Sequence, residues 1–231
     1  KCMRFFVSFY KKRYREAQPA DKLRLHALFH RTRTEYARWC RKHLVLRKSD
    51  ERTGENTLTY TTLIRIQKEY EYTDECIRRC ILSQRPKFTF YLVDSMARPD
   101  MVVKRKTPLG DVLSILAPVH RGSHWVLYTL GREEACGLFM WHFGDSMGNL
   151  PLPREIRRIT EVLRAFTTGY DWSVIPDVCK DLEFPKQKDV ISCGVYATEG
   201  ALRFLRRSGG DWRTPNEMRD EHFGLAAGIL E

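Results

Sequence analysis

Gln187-Lys188-Asp189-Val190-Ile191-Ser192-Cys193-Gly194-Val195-Tyr196 is the stretch on which the reading of this chain turns. It sets a thiol ahead of a glycine and an apolar run, with a primary amide six residues upstream. A Cys in the first turn of a helix lies among unpaired N–H groups, where the macrodipole favours thiolate. A thiol nucleophile needs a base, the base needs an orienting acceptor, and the oxyanion needs a donor. Gln187 offers that donor. Upstream, His124-Trp125 opens an apolar run and offers the base. Asp145, in Phe143-Gly144-Asp145-Ser146-Met147-Gly148, offers the acceptor. Cys193, His124, Asp145 and Gln187 together are the parts of a cysteine hydrolase.

Taken singly, each has an ordinary reading. Cys193 suits a buried thiol, since free Cys is among the most buried residue types, and Gln187 suits a surface amide. Cys136-Gly137 is a second Cys-Gly pair, but it falls in the polar stretch 131–137. Cys179 has no following Gly and no helix start. Both read as structural. His142, inside Phe139-Met140-Trp141-His142-Phe143, reads as a sheet histidine, and His120 precedes the turn-forming Arg121-Gly122. Asp94 repeats the Asp-Ser-Met pattern of 145–147, yet it precedes the His strand. The joint order His-Trp, Asp, Gln-x5-Cys-Gly is far more specific than any member.

Around these residues the periodicity predicts a helix over 20–47, carried by Leu25, Leu28, Phe29, Thr32, Tyr36, Trp39 and His43. A second helical stretch runs from Thr57 through Thr73-Asp74-Glu75-Cys76-Ile77, with Thr-Asp-Glu supplying a cap and an acidic first turn. Strand character follows at 88–93, 112–117, 125–130 and 138–143, the last two reading as a hairpin across 131–137. Pro153 opens an amphipathic helix with Ile156, Ile159, Leu163 and Phe166 on one face. A short strand at 172–175 precedes the Gln–Cys segment; a helix at 193–207 and another at 215–230 complete the chain. Helices, then strands, then helices describe an α+β domain. Antiparallel neighbours bring the start of the His124 strand beside the end of the Asp145 strand.

Composition bounds the rest. With 231 residues, 42% hydrophobic and 30% charged, the chain has the make-up of a globular protein with one sizeable core. No apolar run approaches the ~20 residues of a membrane span, so no membrane association is expected. The opening lacks a small-residue cleavage site, so no signal peptide is expected, and a first residue of Lys suggests a fragment. Seven cysteines at positions 2, 40, 76, 80, 136, 179 and 193 form no framework, which favours a reducing compartment, nucleus or cytoplasm. Cys76 and Cys80 lack a partner pair for zinc and read as one helix face, so neither metal nor cofactor is expected. The net charge of +11 is uneven: residues 1–55 hold 16 Lys/Arg against 6 Asp/Glu, and 56–231 hold 24 against 23. That asymmetry divides the chain into a basic helical extension, 1–55, and a catalytic domain, 56–231. The extension suits nucleic acid or an acidic surface, and equally a solvated basic helix with no partner.

The ordered set resembles the ubiquitin-like-protein-processing cysteine proteases, the SUMO/sentrin-specific (Ulp/SENP) family, with adenovirus-type proteases as distant relatives. The resemblance covers roughly residues 57–231. It rests on Leu116-Ala117-Pro118-Val119-His120-Arg121-Gly122-Ser123-His124-Trp125, on Phe143 to Gly148, on Gln187 to Tyr196, and on the helix opening Tyr72-Thr73-Asp74-Glu75. It implies a papain-like or adenain-like α+β fold: a small mixed or antiparallel sheet flanked by helices, with the nucleophile at a helix N-terminus. It implies Cys193 as nucleophile, His124 as base and acid, Asp145 as orienting acceptor, and Gln187 with the Cys193 N–H as oxyanion hole. Trp125 would flank the channel for a Gly-Gly tail, and Asp74 would help bind that tail. A monomer acting on a SUMO-type or other ubiquitin-like modifier is the expectation. A viral or mobile-element polyprotease, and a modifier-binding module without catalysis, use the same parts. Two departures stand out: Ser192 replaces the usual Asp before the nucleophile, and Glu71, between Tyr70 and Tyr72, replaces a Trp.

Overall fold

The computed structural model describes residues 12–43, 60–84, 86, 88–173 and 179–227. Its contacts group residues 1–69 with 216–231 in one compact unit, and residues 70–215 in another.

The first unit contains α1 (Pro19–His43), α2 (Tyr60–Gln67) and most of α6 (Pro215–Ala226). The periodic helix forms, but its buried stripe is Phe29, Arg33, Ala37, Cys40 and Arg41, while Leu28 is exposed. The reason is electrostatic as much as apolar. Arg38 Nε and Arg41 Nε grip the two carboxylate oxygens of the buried Asp220 on α6, at 2.9 and 2.7 Å. A carboxylate out of water is tolerable only with such paired donors. Charge therefore suggests a boundary near 49–56, whereas contacts tie α1 to the C-terminal helix. Residues 44–47, the opening at 57–59 and the end at 228–230 lie outside the described residues.

The helical stretch expected to run unbroken into Thr73 is two helices, α2 and α3 (Asp74–Leu82). Between them Glu69 takes a left-handed φ of 61°. Thr73 is extended, and its side chain accepts the Cys76 N–H at 3.4 Å. A side-chain cap of this kind requires a non-helical residue, so the signal that starts α3 also stops what precedes it.

The second unit is built on a mixed five-stranded sheet in the order β1-β3-β4-β5-β7: β1 (Thr89–Leu92), β3 (Val112–His120), β4 (Trp125–Arg132), β5 (Phe139–Gly144) and β7 (Cys179–Asp181). The central pairs β3/β4 and β4/β5 are antiparallel; the outer pairs are parallel. A separate two-residue pairing joins β2 (Thr107–Pro108) to β6 (Thr167–Thr168). Ile115, Ala117, Val119, Val126, Tyr128 and Leu130 face one side, where Ile159, Val162 and Leu163 of α4 (Pro153–Phe166) close the core. Alternation sends Leu116, Pro118, Trp125 and Leu127 to the other side, where α5 (Cys193–Arg206) packs on β4 and α3 packs on α5. Each large side chain fully buried contributes roughly 1.5–3 kcal/mol, so a one-residue slip that exposed either face would be prohibitive.

Two expected strands differ from those that form, and one strand of this sheet was not expected. Strand β3 continues through Pro118 to His120; β1 accompanies it only to Leu116, so the residue without an N–H faces an unpaired edge. The strand expected at 172–175 does not begin there. Asp171 Oδ1 accepts the Ser173 N–H and Oγ–H, closing a turn, and Trp172 instead stacks on Phe139 at 6.0 Å; 174 and 175 lie outside the described residues. The strand that does pair with β5 is the polar β7.

Candidate active site

The turn from β3 to β4 closes with Arg121 N–H on the His124 carbonyl at 2.7 Å, with Gly122 at a φ of 73°. It leaves His124 at the head of β4, while Asp145 follows the last residue of β5. His124 Nε2 donates to Asp145 Oδ1 at 2.6 Å. With Nε2 committed, Nδ1 is the ring nitrogen left for the thiol. The hydrogen bond to Asp145 and a second interaction with Cys193 push the imidazole up to about 9, against the opposing effect of burial. The thiol itself is buried at the first residue of α5. The imidazole of His124 thus has both of its expected neighbours, Asp145 and Cys193.

The acid is held hard. Burial pushes the Asp145 carboxyl up, but hydrogen bonds from His124, the Met147 N–H and Asn149 outweigh it and hold the group below its ordinary value. Met147 N–H reaches Oδ1 at 2.7 Å and Asn149 Nδ2 reaches Oδ2 at 2.8 Å. Behind it stands a network that sequence reading missed. Arg121 Nη1 lies 3.8 Å from Asp145 Oδ2, while its Nε and Nη2 clasp Glu155 at 2.9 and 2.7 Å. Tyr128 Oη donates to Glu155 at 2.7 Å and accepts the Leu152 N–H at 2.8 Å. Arg121 reads as a turn residue and Glu155 as an acid in a helix's first turn; only the fold opposes them.

Gln187 arrives in the same place. Its N–H donates to the Ser146 carbonyl at 2.8 Å, its Oε1 accepts the Ser146 hydroxyl at 2.5 Å, and its Nε2 donates to the Asp189 carbonyl at 2.6 Å. The amide oxygen and one amide hydrogen are thereby engaged. Ser192, the departure beside the nucleophile, has its own arrangement. Asp189 accepts the Ile191 and Ser192 N–H groups at 2.9 and 2.7 Å and the Ser192 hydroxyl at 2.8 Å. A carboxylate three residues back orders this loop.

Trp125 is buried, with Nε1 donating to the Tyr72 carbonyl at 2.9 Å. It lines a cavity of about 400 Å³ together with Asp74, Arg78, Phe90 and Asp94. The Cys-Gly dipeptide has a packing cause: a Cβ on Gly194 would stand 2.6 Å from Tyr72 Cβ and 3.3 Å from Trp125 Cδ1. Gly194→Ala should thus cost about 1–3 kcal/mol of overpacking and lower Tm by roughly 2–10 °C in a thermal melt. The competing thiols behave differently: Cys136 is exposed in the hairpin turn, and burial followed by the Asp181 charge pushes the Cys179 thiol up to about 11. His142 is half-buried on β5 against Phe204, and Asp94 receives only the Met96 N–H. Among the described residues no group of three His, Cys, Asp or Glu side chains is placed to hold a metal ion, and no helix is long and apolar enough to cross a membrane.

No protein-family model matches the chain, and no curated protein does. Solved structures do. The C-terminal Ulp1 protease domain in complex with Smt3, the yeast ortholog of SUMO, superposes with a TM-score of 0.58 at 18% identity, over 86% of this chain and 94% of that one. The Ulp1-like SUMO protease catalytic domain of Chaetomium thermophilum gives 0.53 at 17% identity, over 87% of each. This chain has the α+β fold of the Ulp1-type protease catalytic domain.

Proposed function

We propose that this protein is a cysteine peptidase that cleaves after the C-terminal Gly-Gly of a SUMO- or ubiquitin-like modifier. The observation that carries the reading is Cys193 and Asp145 on either side of His124, beside a cavity lined by Trp125 and Asp74. The Ulp1 domain, solved with Smt3, lends it the substrate class. Two residues without side chains pass a slot that excludes bulkier ones, delivering the scissile carbonyl to the thiolate.

In the reaction so read, the Cys193 thiolate attacks the terminal glycine carbonyl carbon. The tetrahedral oxyanion takes hydrogen bonds from Gln187 Nε2 and the Cys193 N–H. The C–N bond breaks as the His124 imidazolium gives its proton to the departing amine. Water then attacks the thioester, His124 accepts its proton, and the acid leaves with the thiolate restored. Incubation with a panel of modifiers ending in a C-terminal electrophile tests the reading. A covalent adduct at Cys193 with one of them is the expected result; labelling at Cys136 or Cys179, or at none, refutes it. Gln187→Ala should lower kcat/KM by about 10²–10³, the effect of losing one oxyanion donor, with the adduct still forming.

A further inference from the structure

At the same rim of the sheet, the turn between β3 and β4 and the first turns of α4 enclose a cleft of about 430 Å³. Its walls carry His120, Arg121, Glu155, Arg154 and Arg158. The one carboxylate there is spoken for, since both oxygens of Glu155 bond to Arg121 and Tyr128. Arg158 Nη2 reaches only the Ser95 and Ala97 carbonyls, at 3.0 and 3.2 Å. Arg154 is exposed and meets no carboxylate among the described residues. Two guanidinium groups without an ion pair among the described residues therefore face one concave surface, which raises the local concentration of anionic groups.

The position of this cleft gives it a use. Val119 lines it and faces α4, whereas Pro118 lines the cavity of Trp125 and Asp74 on the other face of the sheet. The chain of contacts runs from Cys193 to His124 to Asp145 and then to Arg121, which forms the cleft's inner wall. An amine that takes its proton from His124 departs on the imidazole's side of the thiol, and Asp145 and Arg121 join that imidazole to this cleft. We infer that the cleft receives acidic side chains of the polypeptide on the leaving-group side of the scissile bond. The protein then prefers acceptors whose cleaved amine is flanked by Asp or Glu. The inference rests on the peptidase reading and adds a specificity to it.

Two matched fusions of the modifier test it, one with Asp and Glu following the scissile bond and one with Asn and Gln. At low ionic strength the acidic fusion should have a kcat/KM about three- to tenfold higher, the scale of two exposed ion pairs, and the advantage should shrink with salt. Arg154→Glu, a change that removes no bond in the fold, should erase or invert the acidic-to-neutral ratio. Arg158→Gln should reduce it. Equal rates for the two fusions in the unaltered protein, or a ratio untouched by Arg154→Glu, overturn the inference while leaving the peptidase reading intact. Cleavage of neither fusion counts against the peptidase reading. The anisotropy of the two labelled leaving-group peptides with Cys193→Ala protein then decides the cleft: tighter acidic binding lost in the Arg154→Glu background supports it, and equal binding overturns it.

Discussion

Cys193→Ala should abolish hydrolysis, with a loss of about 10⁶ in kcat, the scale seen when a triad nucleophile is removed. Each other thiol in the described residues is buried in α1 or α3, exposed in the hairpin turn, or held protonated in β7. Cys193 shares an imidazole that an acid steers. Single-turnover hydrolysis of the modifier substrate measures the effect, and mass spectrometry of the electrophile-treated variant checks it: the adduct disappears. Retained turnover in this variant would sink the assignment. Its melting temperature should stay close to that of the parent, since one sulfur atom is removed from a site packed by its neighbours.

Asp145→Asn is the second large effect. The first cause of the raised imidazole is the Asp145 hydrogen bond, and an amide in its place supplies neither the charge nor the preference for the correct tautomer. The loss in kcat/KM should be about 10²–10⁴, the range general acid–base catalysis contributes. The pH profile should change as well. In the parent the imidazole is raised to about 9, so activity should fall as pH rises through that value; in the variant the descending limb should move toward the ordinary histidine value. Stability follows the same sign. A histidine raised in the folded state contributes stability that is full below its unfolded pKa, near 6.5, and is lost as pH rises through about 9. Asp145 works oppositely, contributing above its unfolded value and losing that contribution as pH falls through its depressed folded one. Urea midpoints from pH 6 to 9.5 should slope downward in the parent and flatten in the variant.

How much of this was written in the sequence varies with range. Thr73-Asp74-Glu75 announced the start of α3 because a cap is local chemistry. The hairpin and the two amphipathic helices were legible for the same reason: their periods are short and their faces apolar. Cys193, His124, Asp145 and Gln187 stand out as candidates because their joint order is rare. Arg121 and Glu155 do not, since thirty-four residues separate two charges that mean nothing until β3 and α4 bring them together. Strand β7, Cys-Lys-Asp, has no strand signature of its own and is recruited by the free edge of β5. Trp172 misled because an aromatic that plugs a core looks like one that lines a strand.

Phe184 deserves a last consequence. Its ring lies against Gly144 of β5 and Gly200 of α5, two positions where a methyl group would collide with it. Three residues on, Gln187 is tied to Ser146. A wedge held between sheet and helix fixes where the segment carrying Gln187 begins, so little of that segment is left to order when a polypeptide docks.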